Sequence, residues 1–146
     1  MKKKDPNFKK SQNDDILSML TGLRGFKGRI HFQFAPCIND QLDKIPADLD
    51  KQEKIHEICR IIDRAIHANY EIYPCNYIAY DRLNGTTRFA DRYTDDDVAY
   101  FDKYLNRRIE KVKVPNNDDD KAYMRQRIIE MYANPLINKL AALGEE

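Results

Sequence analysis

At 146 residues the chain is long enough for one domain and short for two, so a single core is expected. Hydrophobic residues make up 42% and charged residues 34%, which excludes wholesale disorder, and no run of about 20 apolar residues exists to cross a membrane. The formal net charge of +1 removes the global electrostatic argument for nucleic acid as a partner.

Charge is nevertheless uneven. Residues 1–29 hold eight basic side chains (Lys2, Lys3, Lys4, Lys9, Lys10, Arg24, Lys27, Arg29) against three acidic ones (Asp5, Asp14, Asp15). Such a front end attracts phosphate or an anionic membrane surface, or is simply a solvated tail; Lys9, Lys10, Arg24, Lys27 and Arg29 are the candidate anion contacts. Residues 1–12, with five lysines, a proline and no apolar periodicity, read as a basic, flexible lead-in. The basic start leads into Asp5-Pro6-Asn7 and not an apolar stretch, so no signal peptide is expected. Cys37, Cys59 and Cys75 are scattered and odd in number, which favours reduced thiols and a cytoplasmic setting.

From Asn13 the pattern Ile16, Leu17, Leu20 predicts a short helix, capped by Asn13 or Ser11 and ended by Gly22. Three of the five glycines then fall at 22, 25 and 28, marking a turn. Residues 29–35 (RIHFQFA) set Ile30, Phe32 and Phe34 on one face against Arg29, His31 and Gln33 on the other, the pattern of a strand closed by Pro36. No other segment clearly alternates. A lone strand leaves its backbone groups unpaired, so its partners are expected outside this chain.

Helices follow. Asp50 and Glu53 form a capping box ahead of the stripe Ile55, Ile58, Cys59, Ile62 and Ile66, which runs to about Asn69, with Cys59 a small buried hydrophobe. Pro74 starts and Asn84-Gly85 stops the next helix. Thr94 and Asp97 cap another with Val98, Phe101, Leu105, Ile109 and Val112 inward, ended by Pro115. Asp118, Asp119 and Asp120 open a helix with Met124, Ile128, Met131 and Tyr132 inward, and Asn134-Pro135 begins a separate final turn or two. The fold expected is mostly α with one orphan strand (α+β): four to six helices in a single domain over residues 13–146, the strand at 29–35 being the edge of a sheet supplied from elsewhere.

Catalytic signals are weak. His31, His56 and His67 have no neighbouring nucleophile in sequence, and the cysteines and histidines lack metal-ligand spacing, so neither metal nor cofactor is expected. Glycines at 22, 25 and 28 match neither phosphate-binding spacing. The aspartate runs at 95–97 and 118–120 sit where helix N-termini want negative charge. Between Tyr70 and Tyr104 lie nine aromatics, seven of them tyrosine. Such a cluster is either a tyrosine-rich core with satisfied hydroxyls or a wet-edged contact surface, for which Tyr73, Tyr77 and Tyr80 are the candidates.

Residues 7–11 (NFKKS) and 27–38 (KGRIHFQFAPCI) resemble the region just beyond the catalytic core of bacterial glycerolipid acyltransferases of the lysophosphatidate acyltransferase-like family. Residues 73–85 (YPCNYIAYDRLNG), 88–94 (RFADRYT) and 130–136 (EMYANPL) resemble the C-terminal extension of its Bacteroidetes-type members. In that family a histidine takes the acceptor hydroxyl's proton and an aspartate five positions later orients it. Here the positions five after His31, His56 and His67 are Pro36, Ile61 and Ile72, and Gly85-Thr86 follows asparagine where the family's phosphate motif has glutamate. The resemblance therefore implies a non-catalytic C-terminal portion, inactive alone. Its partner would be an upstream acyltransferase domain that moves acyl groups from a thioester donor to a lysophospholipid-like acceptor at the inner membrane. The other reading is a free-standing helical interaction module that uses the tyrosines.

Overall fold

The computed structural model describes residues 9, 11–25, 28–112 and 118–145, which form six α-helices and no β-strand. The chain divides into two compact units, Met1–Phe32 and Gln33–Glu146.

In the first unit, helix α1 spans Gln12–Arg24. Ser11 begins it: its hydroxyl accepts from the Asp14 amide at 3.2 Å while the Asp14 carboxylate accepts from the Ser11 amide at 3.0 Å. Gly22 does not end the helix, which continues to Arg24. A glycine inside a helix costs only about 1 kcal/mol, and the chain leaves instead at Gly25. There the amide donates to the Thr21 carbonyl at 2.9 Å, and a Cβ would stand 2.8 Å from that same oxygen.

The expected strand at 29–35 is not formed. Among the described residues, no backbone–backbone hydrogen bond engages residues 30–37. The physical reason is the one its pattern already carried: an extended segment becomes a strand only against a neighbour, and no described segment pairs with it.

The second unit begins with the short helix α2 (Asn39–Leu42), after which Asp50 caps α3 (Lys51–Ala68) by accepting from the Gln52 and Glu53 amides at 2.7 and 2.9 Å. Helix α4 (Pro74–Asn84) ends where Gly85 turns to φ +63°, a conformation that favours glycine, and the Thr86 amide closes back on the Asp81 carbonyl at 2.9 Å. A 3-10 turn at Ala90–Arg92 leads to α5 (Asp95–Glu110), which Thr94 and Asp97 cap reciprocally. Helix α5 ends at Glu110, ahead of Pro115, which lies outside the described residues.

Helix α6 (Asp118–Leu143) packs against α3, α4 and α5 and organises the unit. Its buried residues Ile129, Ala133, Leu136 and Leu140 recur at helical spacing straight through Pro135. The break expected at Asn134-Pro135 does not occur, because burial of that continuous face outweighs the roughly 3 kcal/mol penalty of an interior proline. Ile78 and Ala79 of α4 and Phe101 and Leu105 of α5 complete the core with Ile129 and Ala133.

Several expected inward residues face outward. On α3 the isoleucine stripe of Ile55, Ile58, Ile62 and Ile66 is exposed, and so is Cys59, which is not the buried hydrophobe expected. The half-buried side is Ile61, Ala65 and Ala68, smaller on average and better suited to close packing on α6. Met131 is exposed because the buried row of α6 runs through Ile129 and Ala133 instead, and Val112 lies beyond the end of α5.

Candidate functional site

The first unit presents apolar surface with no core beneath it. No residue of α1 is buried, and Ile16, Leu17, Met19, Leu20 and Leu23 are all exposed. At 100° per residue these positions cover about 160° of the helix circumference, a face wide enough for a core-facing helix. Further along the chain, Ile30 and Phe32 are 65% and 83% exposed, and Phe34, in the second unit, is 91% exposed. An aromatic ring left this open in water is unusual in a finished fold.

Of the candidate anion contacts, Lys9, Arg24 and Arg29 are exposed, while Lys10 and Lys27 lie outside the described residues. Arg24 sits in the last turn of α1, where a cation also complements the negative end of the helix dipole. The three histidines are not brought together: His31 and His56 are exposed on separate segments, and His67 is half-buried with its ring 5.3 Å from that of Tyr70. Among the described residues no group of three or more His, Cys, Asp or Glu side chains is placed to hold a metal ion.

The tyrosine candidates Tyr73, Tyr77 and Tyr80 are half-buried. Tyr77 and Tyr80 both pack on Phe89, with ring centroids 5.2 and 5.3 Å away, and Tyr80 accepts a 3.4 Å hydrogen bond from Arg88. The tyrosine ring most open to solvent is Tyr100, at 73%.

Three polar arrangements inside the helical unit were not evident from sequence. Asp81, 3% exposed, accepts from the Thr86 hydroxyl at 2.8 Å, the Phe89 amide at 3.1 Å and the Tyr93 hydroxyl at 3.0 Å, so one carboxylate fixes the whole 86–93 connection. Burial and the bond to Asp81 push the Tyr93 phenol above its ordinary pKa. Its only local signal was an aspartate ahead of Gly85-Thr86 at a helix end. Asn76, 7% exposed, accepts from the Tyr73 amide at 2.9 Å and donates to the Tyr132 carbonyl at 2.8 Å, joining the start of α4 to the turn of α6 that contains Pro135. Tyr132 donates at 2.8 Å to the Tyr104 hydroxyl, which also accepts from Arg108 at 2.9 Å. Burial, followed by that bond, raises the Tyr132 phenol well above its ordinary value.

On the surface, Arg82 grips Asp102 through two bonds of 2.7 and 2.9 Å, and Arg125 stands 3.5 Å from the same carboxylate and bonds Asn106. The Arg82 hydrogen bonds hold the Asp102 carboxyl below its usual range. These groups are each paired within the protein, so they tie α4, α5 and α6 together and leave no reacting group poised. Beside them a shallow groove of about 360 Å³ is lined by Ile109, Ala122, Glu110, Lys121, Asn106 and Arg125.

No helix among the described residues is long and apolar enough to cross a membrane. Neither a known family nor a curated protein nor a solved structure matches this chain.

Proposed function

We propose that this chain is the non-catalytic C-terminal portion of a glycerolipid acyltransferase, acting in the cytoplasm at the inner face of a membrane. The observation that carries the reading is the exposed alternation of Ile30, Phe32 and Phe34. A period-two apolar face with unpaired backbone fits a strand whose sheet lies in another domain. The resemblance of the flanking residues to that family supports reading the domain as one with a histidine and an aspartate five residues apart.

On this reading the other domain performs the chemistry: its histidine removes the proton from the acceptor hydroxyl as the thioester carbonyl is attacked. This chain contributes the last strand and a helical brace. The exposed Lys9, Arg24 and Arg29 are suited to anionic headgroups, each cation near such a surface adding about 1 kcal/mol of attraction.

Co-expression with the acyltransferase domain encoded in the same reading frame tests the proposal. Acyl transfer from a thioester to a lysophospholipid is expected only when both parts are present. Full activity without this chain, or the lack of any such coding sequence upstream, overturns it. The second reading, a free-standing interaction module, has less to draw on, because Tyr77 and Tyr80 already pack on Phe89.

A further inference from the structure

In the first unit, the apolar face of α1 together with Ile30 and Phe32 leaves seven large apolar residues between 39% and 83% exposed. The isoleucine stripe of α3 is less open, its four residues being 36–48% exposed. A second property narrows the occupant. Among the described residues, the only bond to the backbone of residues 30–37 is a 3.4 Å contact of the Gln33 side chain with the neighbouring Phe34 carbonyl. A partner that covers this segment has to satisfy both a side-chain face and a row of backbone groups that water otherwise serves.

A bilayer provides no backbone donors or acceptors and would have to accept Arg29, His31 and Gln33 between the apolar residues. A second copy would form a two-stranded pair, which is marginal by itself in water. A sheet with an open edge meets both demands, and strand addition to such an edge is an established mode of recognition. The helix has a place in the same arrangement. Four residues separate the end of α1 from residue 29, within the usual length of a helix-to-strand connection.

We propose that α1 and residues 29–32 of the first unit dock together on a partner α/β domain, residues 29–32 pairing as a strand with the open edge of its sheet and α1 covering the adjoining sheet face. This deepens the acyltransferase reading and rests on it for the identity of the partner. Mutual dependence follows: neither half docks productively without the other, since the strand alone leaves the sheet face bare and the helix alone leaves the edge unpaired.

The test places a photo-crosslinking phenylalanine analogue at Leu20 or at Phe32 of the full chain, in the cells that make it, and sequences the adducts. The expected result is that both positions label one α/β domain, Phe32 labelling a terminal strand of its sheet. His31→Pro removes a backbone donor without touching the apolar face, and it should lower labelling from Leu20 as well as from Phe32 by about tenfold, the scale of losing one anchor of an interface. Far-ultraviolet circular dichroism must show the helical unit unchanged in that variant, and Ile30→Asp tests the apolar face separately, without a proline. Adducts only to lipid, only to copies of this chain, to two different domains, or none at all overturn the proposal, as does Leu20 labelling that ignores both variants. A labelled domain without the histidine–aspartate pair overturns the acyltransferase reading and leaves the docking mode standing. An active two-part enzyme with no adducts does the reverse.

Discussion

Removing Asn76 should destabilise the helical unit by about 2–4 kcal/mol. The side chain caps α4 through the Tyr73 amide and bonds the Tyr132 carbonyl on α6, and it does both while 7% exposed. In Asn76→Ala the lost cap contributes about 1 kcal/mol, and an unsatisfied buried carbonyl another 1–3 kcal/mol, roughly. Pro135 makes the second part specific. It has no amide for the Met131 carbonyl, so the Asn76–Tyr132 bond braces a turn of α6 that is already short of one helical hydrogen bond. Pro135→Ala gives the Met131 carbonyl its donor back and tightens that turn, which should reduce the effect of Asn76→Ala by about 1 kcal/mol in a double-mutant cycle. Asn76→Asp keeps the cap acceptor but turns an ionised oxygen toward a carbonyl, and it should be at least as damaging as alanine at neutral pH. Urea unfolding followed by circular dichroism reads all five proteins, the parent included, with unchanged slopes as the condition for comparing them. A loss below about 0.5 kcal/mol for Asn76→Ala, or strict additivity with Pro135→Ala, would refute the argument.

Leu105 is fully buried between the α4 and α6 contributions to the core, so Leu105→Ala should cost about 2–5 kcal/mol in the same assay. The Tyr132 phenol is raised in the folded state, so its contribution is complete below the unfolded value near 10 and is lost as pH rises through the folded value. Tyr132→Phe should flatten the fall in melting temperature above about pH 10, and phenolate absorbance should show one tyrosine that ionises only on unfolding. Asp102 is held low by Arg82, so the sign reverses: its contribution is present above the ordinary carboxylate pKa near 4 and disappears as pH falls through its lower folded value. Asp102→Asn should lower the melting temperature at neutral pH and converge on the parent in acid, by an amount in keeping with a surface pair of at most about 1 kcal/mol.

What sequence made legible was local. The caps at Asp50, Thr94 and Pro74 and the stop at Gly85 each depend on residues within four positions of one another, and all are found where expected. What it hid depended on distance or on competition between faces. Asn76 and Tyr132 are 56 positions apart, and nothing near either residue announces the bond. The α3 helix carries two apolar rows, and bulk alone favours the isoleucines; packing on α6 selects Ile61, Ala65 and Ala68. Pro135 looks like a boundary until the buried row on either side of it is known. The acidic runs at 95–97 and 118–120 open α5 and α6, as helix electrostatics suggests.

The period-two reading of residues 29–35 failed as a statement of structure because it described a demand that nothing among the described residues meets. The same reasoning extends to α1, and there it can be measured. A helix of 13 residues with no buried side chain has only its caps and intrinsic propensity to hold it, and isolated helices of that length are marginal in water. Backbone amides of α1 should therefore exchange with solvent far faster than those of α4 and α6, which enclose the core. By the same logic Leu17→Asp should change the urea midpoint by no more than about 0.5 kcal/mol equivalent, where the same charge at Leu105 would unfold the protein. Amides of α1 protected as strongly as those of α4, in the isolated chain, would show that its apolar face is already covered and that no outside sheet is needed to explain it.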